Sequence, residues 1–471
     1  MRLVRLLFLL SLVWGTCRVM PCLAQEALPM FLSSEESARL FEQGRQQIFD
    51  FRLYEAERIF RRLAQQPDGT VAAGYHLATI SFLKALVTDE RVYFDELFVR
   101  ADTLRKHLKK GPVSRWRLYV QAEMQLMRAV AAAKTERFFT SALAGRSAFK
   151  QYEKVIAAEP TFYEPYKGMG LMHLMIGSLP GTYRKVLKLL GYGGTVQQGL
   201  GELRVAAHQC QLDRETAMVV LAMADVMLNN SASGGVETLS QLRREYPESP
   251  LFAYLYGFVL LSNRRAVEAE QSLRRAVQAG TTASYFFIDY AEFYLAQALF
   301  RQNKFSEAER YYRHYLEKHR GEALKALAYL ETGLILEMQG RRDEALPFYE
   351  KVQGDRPYDS DASAYRAAQQ RLAAPLTSQE RQLLLGRNAY DAGIYDVAEK
   401  LLLAVFEGPD AGVPTRAEAA YRLGRVYQAL GRLDEALQMH EYVVVHPVDD
   451  IGTRWAPWSR FYMGEIFTQH G

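Results

Sequence analysis

The residues of this sequence that could perform metal or nucleophilic chemistry are few, and their spacing is wrong for it. His440, Glu441 and His446 come nearest to a helical zinc motif. Two histidines six residues apart, however, lie on different faces of a helix and do not bind one ion together. Cys210 would need a basic partner to act as a nucleophile, and His208 faces another direction on a helix. The sequence therefore predicts no catalytic residue, no metal site and no cofactor.

Patterns typical of nucleotide or nucleic-acid binding are also missing from the sequence. Gly191, Gly193 and Gly194 form a glycine-rich turn, but no Gly-Lys-Ser/Thr ending follows and no strand pattern precedes it, so it does not predict a phosphate-binding loop. Basic pairs such as Arg243-Arg244 and Arg341-Arg342 have acidic neighbours, which argues against a basic stripe for nucleic acid.

The N-terminal residues have the pattern of a secretory signal peptide. Arg2 and Arg5 precede the apolar run 6–14. Cys22 and Ala24 are small residues at positions minus three and minus one, which predicts cleavage after Ala24. The run is too short to span a bilayer of about 30 Å, although an uncleaved anchor remains an alternative. Removal of residues 1–24 takes away three arginines and no acid, so the net charge falls from +4 to +1. We therefore expect an exported protein, periplasmic or associated with the outer membrane, with Cys210 as its one thiol.

Because no side chain indicates a chemical activity, the function has to be inferred from the helices that would position a binding surface. The segment from Ala420 to Pro447 has small residues at Gly424 and Ala436 and a turn glycine at Gly431. Two closely packed helices need small side chains where they touch, since a larger one overpacks the contact at roughly 1–3 kcal/mol. A glycine can also take the left-handed conformation that ends a helix. The segment resembles a tetratricopeptide repeat, in which Gly424, Gly431 and Ala436 hold motif positions eight, fifteen and twenty.

The same positions recur along the chain at spacings of 37 to 40 residues. The gap of 53 residues between Gly333 and Gly386 leaves room for an additional helix at 361–373. This repetition predicts an all-α fold, a right-handed superhelical solenoid of antiparallel helix pairs. Residues in register are Gly257, Ala296, Gly333, Gly386, Gly424 and Gly464, with Gly44, Ala56, Phe60, Gly340, Ala345, Tyr349, Pro357, Gly393 and Ala398, and with Arg264 in place of a turn glycine.

One repeat is interrupted. Its first helix contains Gly170 and Gly177, but the helix that should follow begins only near Gly199, so an insertion of 17 residues lies between them. The Leu-Pro element, apolar helix, glycine turn and Gly-Leu-x-x-Leu of this block resemble the tetratricopeptide repeat protein 39 family, also called the inclusion-body-clearance family. The resemblance extends over about residues 40–242. It implies a helical repeat protein without known catalysis, here an exported bacterial relative.

The insertion, residues 178–194, has two interpretations. It can be a basic amphipathic helix that touches a membrane or a partner. It can also be a short helix whose apolar side caps the solenoid, and its small size favours this second interpretation. The residues concerned are Val186, Leu187, Leu189 and Leu190, beside Arg184, Lys185 and Lys188.

The resemblance to tetratricopeptide repeats also implies where a ligand binds. First-helix positions five, nine and twelve line the concave face of such a solenoid, and they are Leu383, Arg387 and Tyr390 in one repeat. In the next repeat they are Tyr421, Arg425 and Gln428. The arginines suit carboxylates of a peptide, and the tyrosines suit its side chains. We therefore predict peptide binding by Arg387, Tyr390, Tyr421, Arg425 and Gln428.

The sequence as a whole predicts a non-catalytic interaction scaffold of the bacterial cell envelope with a protein or peptide partner. After the signal peptide we expect irregular repeats at 25–160, the interrupted repeat at 161–215 and regular repeats at 216–471, which end in a half repeat. A carbohydrate-binding or carbohydrate-active helical protein is an alternative, although only Trp116, Trp455 and Trp458 remain outside the signal peptide. A peripheral membrane protein is a second alternative.

Overall fold

The computed structural model describes residues 29–109, 114–189, 191–229, 233–353, 359–446 and 455–470. Within these ranges the chain forms α-helices and a short 3-10 turn, Pro29–Phe31, with no strand, so the predicted all-α class is confirmed. The predicted signal peptide 1–24 lies outside the described residues, as do Leu190, Pro357, Pro447 and Gly471. The helices are α1 Glu35–Phe49, α2 Leu53–Leu63, α3 Thr70–Thr88, α4 Arg91–Leu108, α5 Arg115–Lys134, α6 Phe138–Ala158, α7 Pro165–Gly177, α8 Gly181–Leu189, α9 Val196–Gln209, α10 Arg214–Asn229, α11 Ser233–Glu245, α12 Pro250–Ser262, α13 Ala266–Gly280, α14 Asp289–Arg301, α15 Phe305–Lys318, α16 Lys325–Met338, α17 Arg342–Glu350, α18 Asp359–Ala373, α19 Ser378–Ala392, α20 Tyr395–Glu407, α21 Val413–Ala429, α22 Leu433–Val445 and α23 Trp455–His470.

The chain divides into two compact units. Unit 1 contains the described residues up to Asn263 together with Ser272–Ala291 and Lys318–Ala323. Unit 2 contains Arg264–Gln271, Glu292–Glu317 and the described residues from Leu324 onward. The predicted boundaries at residues 160 and 215 rest on the repeat pattern, and they stay predictions.

Both units are built from neighbouring helices that pack as pairs. In unit 1 these pairs are α1 with α2, α3 with α4, and α5 with α6, and in unit 2 they are α16 with α17, α19 with α20, and α21 with α22. The short connections between the partners make them run antiparallel. The predicted helix–turn–helix unit is therefore confirmed in each unit.

The glycines at motif position eight lie where the two helices of a pair touch. A methyl group at Gly333 would lie 2.4 Å from the Tyr349 ring, and one at Gly424 would lie 2.7 Å from the His440 ring. Such distances leave no space for any side chain larger than hydrogen. In each pair the partner follows sixteen residues after the glycine. The same relation joins Gly44 to Phe60 and Gly386 to Leu402.

The turn at motif position fifteen is left-handed whether or not glycine occupies it. Gly340, Gly393 and Gly431 have φ of +78°, +81° and +74°. Phe51, Arg264 and Asn303 have φ of +57° to +58° at the equivalent places. This conformation costs a non-glycine residue roughly 1–2 kcal/mol, so the packing of the two helices must stabilise the turn by at least that much.

The interrupted repeat closes around its insertion. A methyl group at Gly170 would lie 3.0 Å from Leu203 Cγ and 2.9 Å from the Gly199 carbonyl oxygen. Leu203 follows Gly170 by the usual sixteen residues lengthened by the seventeen of the insertion. Helix α7 therefore pairs with α9, and α8 lies in the inserted segment, as the sequence predicts.

Among the described helices, α3 alone is long and apolar enough to cross a membrane. Within the fold 78% of its apolar window is buried. Lys84 on this helix also forms an ion pair with Glu57, with Nζ 2.8 Å from Oε2. Burial of this extent together with a charged pair is the environment of a core helix.

Candidate peptide-binding surface

Helices α19 and α21 in unit 2 carry the predicted binding residues. Thr377 and Glu380 form a capping box that begins α19, because each side chain accepts a hydrogen bond from the backbone of the other. Leu384 and Ala389 on α19, and Leu423 on α21, are buried. These apolar contacts fix the orientation of the two helices. Arg387 and Arg425 lie on the remaining faces and are partly exposed.

Arg387 is a partly buried cation without a counterion in contact. Its guanidinium forms no ion pair and no hydrogen bond with any residue that the structure describes. Burial lowers its pKa, and the positive charge of Arg422 lowers it further. Glu418 and Asp391 attract it from a longer range. A desolvated guanidinium of this kind has five N–H donors available for a carboxylate.

Arg425 and Gln428 lie together, but their polar groups are engaged. The Arg425 guanidinium stacks on the Tyr462 ring, 3.6 Å from its centroid, and Nη1 donates a hydrogen bond to Gln428 Oε1 at 2.7 Å. Gln428 Oε1 is also 3.4 Å from His440 Nε2. Burial lowers the pKa of His440 to about 4, with a further contribution from Arg425. Arg425 is therefore held in place by an aromatic ring and an amide.

Tyr421 contacts the C-terminal helix α23. Its ring lies 4.7 Å from the Trp455 ring and 6.3 Å from the Tyr462 ring. Burial raises the pKa of the Tyr421 hydroxyl well above its usual value. Helix α23 packs on both α22 and α21, so this last described helix covers part of the preceding repeat. Phe461 and Phe467 on α23 stay exposed.

Tyr390 lies beneath another side chain. It is only 5% exposed, and the Arg264 guanidinium covers its ring at 4.7 Å from the centroid. Tyr395 packs on it at 6.0 Å. The structure thus brings Tyr421, Arg425 and Gln428 into one cluster and places Arg387 close to Arg422. It leaves little of Tyr390 open to a ligand.

Sequence reasoning missed Arg264 and Arg422 as parts of this surface. Arg264 occupies a turn position, so the motif gives no reason to place it over an aromatic ring. Arg422 follows Tyr421 directly, off the positions that line the concave face, and it reaches Glu418 at 2.7 Å and lies over the Trp455 ring. A long arginine side chain can reach a neighbouring face, and motif spacing does not report that reach.

A second group of charged residues, in unit 1, was also missed. Lys167 Nζ lies 2.8 Å from Glu123 Oε2 and 3.0 Å from Asp213 Oδ2. Tyr152 donates a hydrogen bond to Glu123, and Tyr119 donates one to Asp213. These five residues, the Lys167 network, are all buried.

Burial dominates the electrostatics of the Lys167 network. It raises the pKa of the Glu123 and Asp213 carboxyls and lowers the pKa of the Lys167 ammonium. Nearby, Glu164 accepts hydrogen bonds from the backbone N–H groups of residues 211–213. The side chains are closed off from solvent and bonded to one another, so the network joins α5, α6 and α7 to Asp213, the residue before α10.

Chemical sites of other kinds are not evident in the described part of the chain. Its His, Cys, Asp and Glu residues form no group of three or more that could hold a metal ion. The buried thiol Cys210 donates to the Tyr163 carbonyl oxygen, and burial raises its pKa far above the usual value. Trp116 packs edge-on against Phe162, with the ring centroids 4.8 Å apart.

Comparison with known proteins agrees with the repeats read from the sequence. A family model described as tetratricopeptide repeat matches residues 229–284, 294–360 and 383–439. A search of curated protein sequences returned no match. The resemblance of residues 40–242 to the tetratricopeptide repeat protein 39 family therefore stays a prediction.

Several solved structures align with most of the chain at low similarity. Yeast Tom70 is 11% identical with a TM-score of 0.35, and it covers 92% of this chain and 96% of its own. The apo quorum sensor NprR from B. thuringiensis is 13% identical with a TM-score of 0.35, covering 88% and 99%. Human IFIT1, solved as a dimer with PPP-AAAA, is 16% identical with a TM-score of 0.34, covering 88% and 95%.

Proposed function

We propose that this tetratricopeptide-repeat protein is a non-catalytic interaction scaffold that binds a protein or peptide through α19 and α21. The observation that carries the proposal is Arg387, whose guanidinium is partly buried and has no acceptor among the described residues. Proteins seldom bury a charge without a partner, because nothing then offsets the free energy of desolvation. A ligand carboxylate in contact with Arg387 would offset it.

The surface around Arg387 favours a ligand that brings a carboxylate together with apolar side chains. Arg422 lies nearby with its own charge paired to Glu418, and Tyr421 adds an aromatic surface that is only partly covered. Arginine with aromatic neighbours is the residue combination that most often dominates protein–protein binding energy. Arg425 and Gln428 contribute a fixed rim, because they are already bonded to Tyr462 and to each other.

The partner can be captured and the site tested in one experiment. The chain with its N-terminal segment is expressed in a bacterial envelope, crosslinked in place, and its crosslinked proteins are identified by mass spectrometry. We expect Arg387→Gln to reduce recovery of the main partner about tenfold or more, since a hydrogen bond to a charged group contributes about 1.5–3 kcal/mol. The matched control is Arg366→Gln, which removes an exposed arginine of the same unit. Equal recovery with both variants would contradict the site.

The location in the cell envelope is a separate part of the proposal. It rests on Arg2, Arg5, the apolar run 6–14 and the small residues that end at Ala24. Intact-mass measurement of the protein purified from the envelope is expected to show a chain that begins at Gln25. A chain that keeps residues 1–24 would support the uncleaved anchor in its place.

A further inference from the structure

Helix α6 begins with bulky apolar side chains that face solvent. Phe138, Phe139 and Leu143 are 66%, 78% and 55% exposed. Phe139 and Leu143 are four residues apart and share one side of the helix. Exposed single apolar residues are common, but a contiguous group of large ones marks a contact surface.

Helix α8, in the insertion, adds positive charge without any negative charge. The 37 residues from Pro165 to Gly201 contain no Asp or Glu. Arg184, Lys185 and Lys188 are exposed, and none of the three forms an ion pair with a described residue. Tyr183 on the same helix is 63% exposed. The helix therefore presents free cations beside an aromatic ring.

The insertion returns to the protein next to the apolar start of α6. The Tyr192 hydroxyl donates a hydrogen bond of 3.5 Å to the Ala142 carbonyl oxygen, and the Tyr192 ring lies 5.4 Å from the Phe149 ring. The positive charge of Arg146 acts on Tyr192 as well. Ala142 and Arg146 are helical neighbours of Phe139 and Leu143, so the end of the insertion lies beside the exposed apolar side of α6.

We propose that Phe138, Phe139 and Leu143 of α6 form one surface with Tyr183, Arg184, Lys185 and Lys188 of α8, and that this surface docks on an anionic lipid bilayer. Exposed aromatic and aliphatic side chains can enter the boundary between headgroups and acyl chains, while lysine and arginine beside them contact lipid phosphates. An acidic protein would also attract the cations. A protein partner, however, is recognised best by side chains that are held in fixed positions. No described residue forms an ion pair with Arg184, Lys185 or Lys188 to hold them so, which favours the bilayer.

Vesicle sedimentation tests the proposal on the chain from Gln25 onward, which keeps every described residue and lacks the apolar N-terminal run. The probe is a phosphatidylcholine vesicle with or without phosphatidylglycerol. We expect binding that requires phosphatidylglycerol and weakens as salt rises, because exposed charges are screened. Lys185→Gln with Lys188→Gln should weaken partitioning about 25-fold, at roughly one fivefold step for each cation.

The apolar part is tested in the same assay. Phe138→Ser with Phe139→Ser should weaken partitioning about tenfold, since two aromatic rings no longer enter the interface. Matched controls are Lys318→Gln with Lys400→Gln, and Phe461→Ser with Phe467→Ser, which alter exposed residues elsewhere and should leave binding unchanged. Circular dichroism checks that each variant is folded.

Three results would overturn the proposal: no binding to either vesicle, equal binding to both, or equal loss with the control variants. Capture of an acidic protein by α8 without vesicle binding falls under the first of these. The proposal does not depend on the peptide site, because its residues belong to α6 and α8 whereas the peptide site belongs to α19 and α21. Failure of one therefore does not imply failure of the other.

Discussion

Lys167 on α7 is a buried cation and Arg387 on α19 is a partly buried one, and they differ in what surrounds them. Lys167 contacts the carboxylates of Glu123 and Asp213, and each carboxylate also accepts a tyrosine hydroxyl. Arg387 has carboxylates near it but none in contact among the described residues. A buried charge with all its partners belongs to the structure, whereas one without partners points to a ligand.

The largest loss in the free energy of unfolding is expected from the removal of the Lys167 ammonium. Lys167→Met leaves Glu123 and Asp213 buried without a counterion, so we expect a loss of about 3–5 kcal/mol in the free energy of unfolding. The measurement is urea denaturation followed by circular dichroism. A loss below about 1 kcal/mol would mean that the network adds little to the stability of unit 1.

Glu123 in unit 1 and His440 in unit 2 are expected to change the free energy of unfolding with pH in opposite directions. Burial raises the pKa of Glu123 from 4.5 to about 7, so the folded state binds this proton more tightly and stability falls as pH rises through that interval. Burial lowers the pKa of His440 from 6.5 to about 4, so the unfolded state binds the proton more tightly and stability falls as pH drops through that interval.

Each of these contributions amounts to about 3 kcal/mol at full extent. Urea unfolding between pH 4 and 7 is expected to show that Glu123→Gln removes a loss of stability with rising pH and that His440→Gln removes a loss of stability with falling pH. If both variants change the pH dependence in the same direction, the difference between the two residues does not exist.

The smallest effect on stability is expected from Arg387→Met. This change removes a desolvated cation and breaks no ion pair, so the free energy of unfolding should change by less than about 1 kcal/mol, in either direction. The same urea titration measures it beside Lys167→Met. A loss as large as that of Lys167→Met would make Arg387 a structural residue and would count against the binding site.

Local spacing in the sequence predicts much of this fold. Gly333 and Gly424 contact the residue sixteen positions later, because two helices and a turn of constant length bring those positions together. Arg264 was placed at a turn position without being a glycine, and its φ is left-handed there. The insertion of 17 residues was predicted from the delay between Gly170 and Gly199, and the contact of Gly170 with Leu203 confirms it.

The contacts that were not predicted join residues from different repeats. Glu123 and Asp213 lie 44 and 46 residues from Lys167, and nothing in the motif distinguishes them from carboxylates on solvated faces. The covering of Tyr390 by Arg264 depends on how far a flexible side chain reaches. Periodicity shows which face of a helix is apolar, but it does not show which charged groups meet across a core.

The left-handed backbone at position fifteen has a consequence for how such proteins diverge. Since Phe51, Arg264 and Asn303 adopt this conformation as Gly340 does, the signature glycine can be lost while the hairpin persists. A protein that diverges in this way keeps its fold but loses the motif residues by which its relatives are detected. The stretch before residue 229, where the repeat model finds no match, holds helix pairs of the same construction. Ancestry there is better traced through backbone angles and contact spacing than through residue identity.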